Sequence, residues 1–201
     1  MDVNEQKALK TIKVGKKFSH SKIIILMGLP GSGKSFVADY LNKKYGYTII
    51  SGENISNALF GNNIADFSIV YKIVRQLASK LLMEKHSIVI DGTNLKFSFR
   101  KQIYDEVCMD IKPILIYLLV DDKTARKRID KRGEGCQNIK DIKSQCSKET
   151  FIKFKEQTEE PTENEPFYRL VSDENLLGKI DSIISKSIIP NPPQLLCRST
   201  Y

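Results

Sequence analysis

Residues 23–35 read IIILMGLPGSGKS, and this junction constrains the fold more than any other stretch of the chain. The unbroken apolar run suits a strand buried on both faces. Gly28, Gly33, Lys34 and Ser35 then fit G-x-x-x-x-G-K-[ST], and the following residues predict a helix over 35–45 with Val37, Tyr40, Leu41 and Tyr45 near one stripe. A glycine-rich loop between a strand and a helix can turn successive backbone N–H groups toward one anion, while the helix directs its positive end at the same point. Gly28, Leu29, Pro30, Gly31, Ser32, Gly33, Lys34, Ser35 and Phe36 are therefore expected to surround the phosphates of ATP. Within them, Lys34 is expected on the β- and γ-phosphates and the Ser35 hydroxyl on Mg2+. A turn that merely capped a helix would have no use for Lys34 and Ser35.

The rest of the chain repeats the strand–helix alternation. Residues 47–51, 87–91 and 113–120 are short apolar runs, and 66–85 carries Phe67, Val70, Val74, Leu77, Leu81 and Leu82 at helical spacing. Phe99–Met109 is a further helical stretch, and right-handed crossovers then give a doubly wound α/β layer. Residues 140–157 and 174–187 read as helices around a fifth strand at 167–171, with an acidic loop, EEPTENEP, at 159–166. The expected fold is a three-layer α/β P-loop NTPase with a parallel sheet of about five strands and a basic lid. At 201 residues, against about 150 per domain, one decorated domain is expected. Its parts are a polar N-terminal extension at 1–20, mobile or packed, a kinase domain at 21–188 with a basic lid at about 126–140, and a Pro-rich tail at 189–201.

The net charge of +8 fits either a polyanionic partner or a lysine-rich surface with no such partner. The four cysteines form no C-x-x-C pair and the two histidines are far apart, which argues against a zinc site or a disulfide framework. The longest apolar run, 114–120, is far short of the about 20 residues of a membrane span. A cytoplasmic location and no membrane partner are expected.

Five further residues bear on the fate of the phosphate. Asp91 ends the third strand, where it could hold Mg2+ through water or simply make an Asx turn in DGTN. The next residue is Gly92 and not the glutamate of a hydrolytic motor, and no guanine-reading N-K-x-D is present. Transfer to an acceptor remains. Glu53 follows the second strand, positioned to take the proton of an attacking alcohol or to complement a helix dipole, and Ser51 beside it could bond the acceptor. Arg128 and Arg132 share a helical face and could close over the migrating phosphoryl group, with a hinge at Gly133 and Gly135. Lys123, Lys127 and Lys131 read equally well as a solvated face.

Taken together, GLPGSGKS, an acid after the second strand, DGTN followed by Arg100, RIDKRG, and the spacing of Pro161, Glu165 and Phe167 resemble the P-loop kinase group of the 5′-hydroxyl polynucleotide kinases. The resemblance covers residues 22–172. It implies that Lys34 and Ser35 bind ATP-Mg2+, that Glu53 is the general base and that Arg132 is the lid arginine. It also implies that Asp91, Thr93, Asn94 and Arg100 shape the acceptor and phosphate site. The chain differs in having Glu53 where aspartate is usual and Ser56 where the phage-type enzyme has an arginine. The implied activity is ATP-dependent phosphoryl transfer to a hydroxyl, on the 5′ end of a polynucleotide (DNA or RNA) or linked to tRNA. Arg75, Lys96, Arg100 and Lys101 near the acceptor side add positive charge to that reading. A small-molecule kinase and a non-transferring nucleotide sensor or nucleic-acid-binding module are the alternatives.

Overall fold

The computed structural model describes residues 2–61, 65–108, 111–134 and 148–188, the side chains of 132–134 and 187–188 excepted. Parallel pairing places five strands in the order β2-β3-β1-β4-β5: β1 (Ile23–Met27), β2 (Thr48–Ser51), β3 (Ile88–Asp91), β4 (Ile114–Leu119) and β5 (Phe167–Val171). The helices are α1 (Val3–Leu9), α2 (Lys34–Tyr45), α3 (Gly52–Phe60), α4 (Phe67–Met83), α5 (Phe97–Val107), α6 (Asp122–Glu134), α7 (Lys148–Glu156) and α8 (Leu176–Ile188). The expected three-layer fold is thus present, with all five strands where the apolar runs placed them.

Strand alternation explains the layers. Ile23, Ile25 and Met27 pack on one face with buried residues of α4 and α5, while Ile24 and Leu26 pack on the other with α2 and α8. Both faces of β1, β2 and β3 are covered, so their sequences read as continuous apolar runs. β5 ends the sheet, and Tyr168 and Val171 on it are exposed.

The first twenty residues are built into the domain. Ala8 of α1 is fully buried in the core. Lys13 then bridges Ile49 of β2 and Lys17 bridges His86, both antiparallel. This arm lies along the outer edge of β2 and crosses the end of α2 where Gly15 meets Gly46. A Cβ at Gly15 would stand 2.0 Å from the Gly46 carbonyl oxygen, so only glycine allows the crossing.

Gly133, expected as a hinge, lies inside α6. The rest of the lid from 135 to 140, the helical reading of 140–147 and the Pro-rich tail at 189–201 lie outside the described residues. Among the described residues, no helix is long and apolar enough to cross a membrane.

Candidate active site

The ends of β1, β3 and β2 meet in register: Leu26 lies beside Asp91, and Asp91 beside Ser51. Open α/β sheets bind ligands at such carboxyl ends, where crossovers depart in opposite directions. Here the three chains leave the sheet as the glycine-rich loop, the DGTN loop and the start of α3.

In the loop, φ is positive at Gly28, Gly31 and Gly33. A Cβ on Gly31 would stand 2.5 Å from the Ala125 carbonyl oxygen, so α6 packs directly against the loop backbone. Gly33 opens α2 without a side-chain cap, which leaves the first N–H groups of the helix for an anion. Lys34 is buried, and its Nζ donates to the carbonyls of Gly28 at 2.9 Å and Leu29 at 2.8 Å. The ammonium is therefore held within the loop, and Ser35 is half-buried beside it. Leu29 packs on the core and Ser32 is fully buried, which fixes the loop from below. Phe36 points outward, 59% exposed.

The DGTN loop is clamped to this cradle. The Gly28 N–H donates to the Thr93 carbonyl at 3.1 Å, and the buried Asn94 amide donates to the Leu26 carbonyl at 2.7 Å. Asn94 adopts a left-handed φ of 47°, which asparagine tolerates better than most residues. These bonds set Asp91, itself buried, next to the end of the phosphate loop. Thr93 thus acts on the cradle through its backbone carbonyl and Asn94 through its side-chain amide.

Arg100 takes a different place from the expected one. It is fully buried, with Nε and Nη2 donating to the two carboxylate oxygens of Glu165 at 2.8 and 2.9 Å. Its Nη1 donates to the carbonyls of Asn94 and Leu95, both at 3.0 Å. The guanidinium is therefore spent behind the DGTN loop, closed off from solvent. Burial pulls the Glu165 carboxyl up, but hydrogen bonds from Arg100 and Tyr104 outweigh it and hold it below the ordinary glutamate value. Glu159 adds a second clasp: its N–H donates to the Leu95 carbonyl, and its carboxylate accepts from the Phe97 N–H at the start of α5. The acidic loop of the sequence is thus an anchor. Arg75 and Lys101, expected as acceptor-side charge, instead pair with Glu106 and Asp105.

Ser51 caps α3, its hydroxyl accepting from the Asn54 N–H at 3.3 Å. Glu53 is exposed in the first turn of the same helix, just after the end of β2. On the opposite side, Arg128 of α6 donates to the Gly31 carbonyl at 3.2 Å and to Ser172, just after β5. Arg132 follows one turn later on α6, its side chain outside the described residues. Lys123, Lys127 and Lys131 are exposed, in keeping with a solvated face. Sequence reading passed over Ser172 and gave Glu165 no place in the site. The spacing of Pro161, Glu165 and Phe167 was the available signal for the second, and nothing local marked the first.

The chain is 24% identical to human adenylate kinase isoenzyme 1 over 188 residues, covering 85% of this chain and 94% of that protein. Among solved structures, Kti12 of Chaetomium thermophilum in complex with ADP-AlF3 matches with a TM-score of 0.63 at 20% identity, covering 84% of this chain and 100% of that one. A sugar kinase from Janibacter sp. HTCC2649 matches with a TM-score of 0.61 at 17% identity, covering 82% and 93%. These structures share the fold. A family model described as AAA domain matches residues 23–161, from the first residue of β1 to the anchor loop behind DGTN, and the chain belongs to that family.

Proposed function

We propose that the chain transfers the γ-phosphate of ATP to a hydroxyl on nucleic acid, foremost the 5′-hydroxyl of a polynucleotide. The observation that carries the reading is the alignment of Leu26, Asp91 and Ser51, which puts a phosphate cradle, a buried acid and the exposed Glu53 along one edge of the sheet. The fold is that of a P-loop kinase, and ATP and Mg2+ are the cofactors of the family. The residues suit them: an uncapped helix start, a lysine within the loop and a half-buried Ser35 next to it. Mg2+ held by the phosphates, Ser35 and, through water, Asp91 would neutralise charge on the transferring group.

In this mechanism Lys34 exchanges its carbonyl contacts for phosphate oxygens, and the loop and α2 N–H groups fix the donor in line. Glu53 accepts the proton of the acceptor hydroxyl as its oxygen bonds to the γ-phosphorus, and the bond to the bridging β–γ oxygen breaks to release ADP. Arg128 steadies the loop, and Arg132 covers the γ-phosphate. Ser51 orients Glu53, and Thr93 and Asn94 hold the acceptor loop. The net charge of +8 supports a polyanionic acceptor. The similarity to adenylate kinase isoenzyme 1 favours a second reading, a small-molecule acceptor.

Label transfer from γ-labelled ATP into a competing pool of 5′-hydroxyl oligonucleotides, tRNA, nucleoside monophosphates and sugars separates the two. Oligonucleotide or tRNA labelling is expected, abolished in Lys34→Ala. Glu53→Gln should lower kcat by about 10²–10⁴-fold with ATP affinity unchanged. Retained transfer in Glu53→Gln overturns the base assignment and points to Asp91. Label confined to monophosphates or sugars overturns the nucleic-acid acceptor.

A further inference from the structure

Above the acceptor side of the site, α4 carries aromatic side chains that phosphate chemistry does not use. Tyr71 stacks on Phe99 of α5, with centroids 4.1 Å apart and planes 15° from parallel. Its hydroxyl lies close enough to feel the Thr93 side chain and the Asn94 backbone, which puts Tyr71 level with the loop just beyond Asp91. α4 runs toward the start of β3, antiparallel to the strands, so its first residue is its outermost. That residue is Phe67, four before Tyr71: it lies on the same face and about 5–6 Å farther out. There Phe67 is 54% exposed. A lone exposed phenylalanine needs no explanation. This one, however, extends a face whose next aromatic is locked to the acceptor loop.

We infer that Phe67 is the stacking surface for a base of the acceptor, so that the hydroxyl of the same nucleotide reaches Glu53. The inference rests on the transfer reading above and narrows its acceptor to a nucleic-acid end. Aromatic stacking tolerates any base, because each has a π-face, and so positions an end without selecting its sequence. The charges beside this face suit a phosphate chain: Lys96 caps α5 one turn before the Phe99 that Tyr71 stacks on, and the carboxylate of Asp66, next to Phe67, is occupied by the Ser68 N–H and hydroxyl.

The test uses the full chain and a short oligonucleotide whose 5′-terminal base is 2-aminopurine, a fluorophore quenched by stacking. Quenching is expected with the wild type, lost in Phe67→Ala, kept in Phe67→Tyr and unaffected by Met83→Ala at the other end of α4. In turnover with γ-labelled ATP, Phe67→Ala should raise KM for a base-bearing 5′ end roughly 5- to 100-fold with kcat within about twofold. KM for an abasic 5′ end should not move. Absent quenching, quenching unchanged in Phe67→Ala, or equal KM changes for both ends overturns the inference. Phe67-dependent quenching without labelling of any hydroxyl overturns the transfer reading and upholds the stack. If the free 2-aminopurine nucleoside is quenched as strongly as the oligonucleotide at equal concentration, the acceptor is a mononucleoside and the nucleic-acid end is overturned.

Discussion

Arg100 illustrates how much of a residue's role depends on a partner far away in the chain. Its place after DGTN made it a substrate ligand by resemblance, whereas Glu165, 65 residues on, makes it the post that holds the loop. Both side chains are almost fully buried, 0% and 2% exposed, so removing one leaves the other charged and unpaired. Arg100→Leu should cost about 3–5 kcal/mol in urea unfolding, and Arg100→Leu with Glu165→Leu should cost less than either alone. A double variant as unstable as the sum of the singles would mean that the pair is not coupled. The placement of Lys34 and Ser35 was legible because it is local, a loop and the helix it opens. Arg100 was not, because burial is a property of the fold and DGTN reads the same with its arginine inside or outside.

At the scale of elements, the strands were readable from sequence because a parallel sheet covered on both sides demands apolar runs, and β1, β3 and β4 supply them. The docking of α8 was not readable. Beside the apolar contacts of Leu176, Ile180 and Ile184 it uses Asp181, whose carboxylate accepts from Tyr40 at 2.6 Å, Tyr45 at 2.7 Å and Lys44 at 2.7 Å, all on α2. Helical spacing puts Tyr40 and Tyr45 on an apolar stripe, but their hydroxyls turn its edge into a polar seam. Hydrogen bonds from Lys44 and Tyr40 bring the Asp181 carboxyl from 3.8 down to about 2. A depressed folded-state value stabilises above the unfolded value and loses that contribution as pH falls. The melting temperature of the wild type should therefore exceed that of Asp181→Asn above about pH 4, and the gap should close as pH falls toward 2. A gap that stays constant over that range would show that the seam does not depend on the carboxylate charge.

At the scale of the whole molecule, the polar composition of the first twenty residues left open whether they were mobile or packed. They are packed because Ala8 reaches the core and Gly15 passes over Gly46. Gly15→Val should lift the arm and cost about 1–3 kcal/mol, with limited proteolysis cutting in 10–20 before the domain. Protection equal to the wild type would mean that the backbone shifts to admit the side chain. Net charge also acts at this scale: affinity for an oligonucleotide should fall steeply as salt rises, whereas KM for an uncharged acceptor should stay level. The arm has a consequence for how copies of the molecule meet. A sheet offers unpaired backbone at its two outer strands, and here the arm screens the β2 side while β5 ends the other side with Tyr168 and Val171 exposed. Among the described residues, strand-to-strand association therefore has one open direction: the intact chain can stop at an edge-to-edge pair through β5, whereas a chain stripped of its arm would present two adhesive edges and could grow into an open-ended sheet.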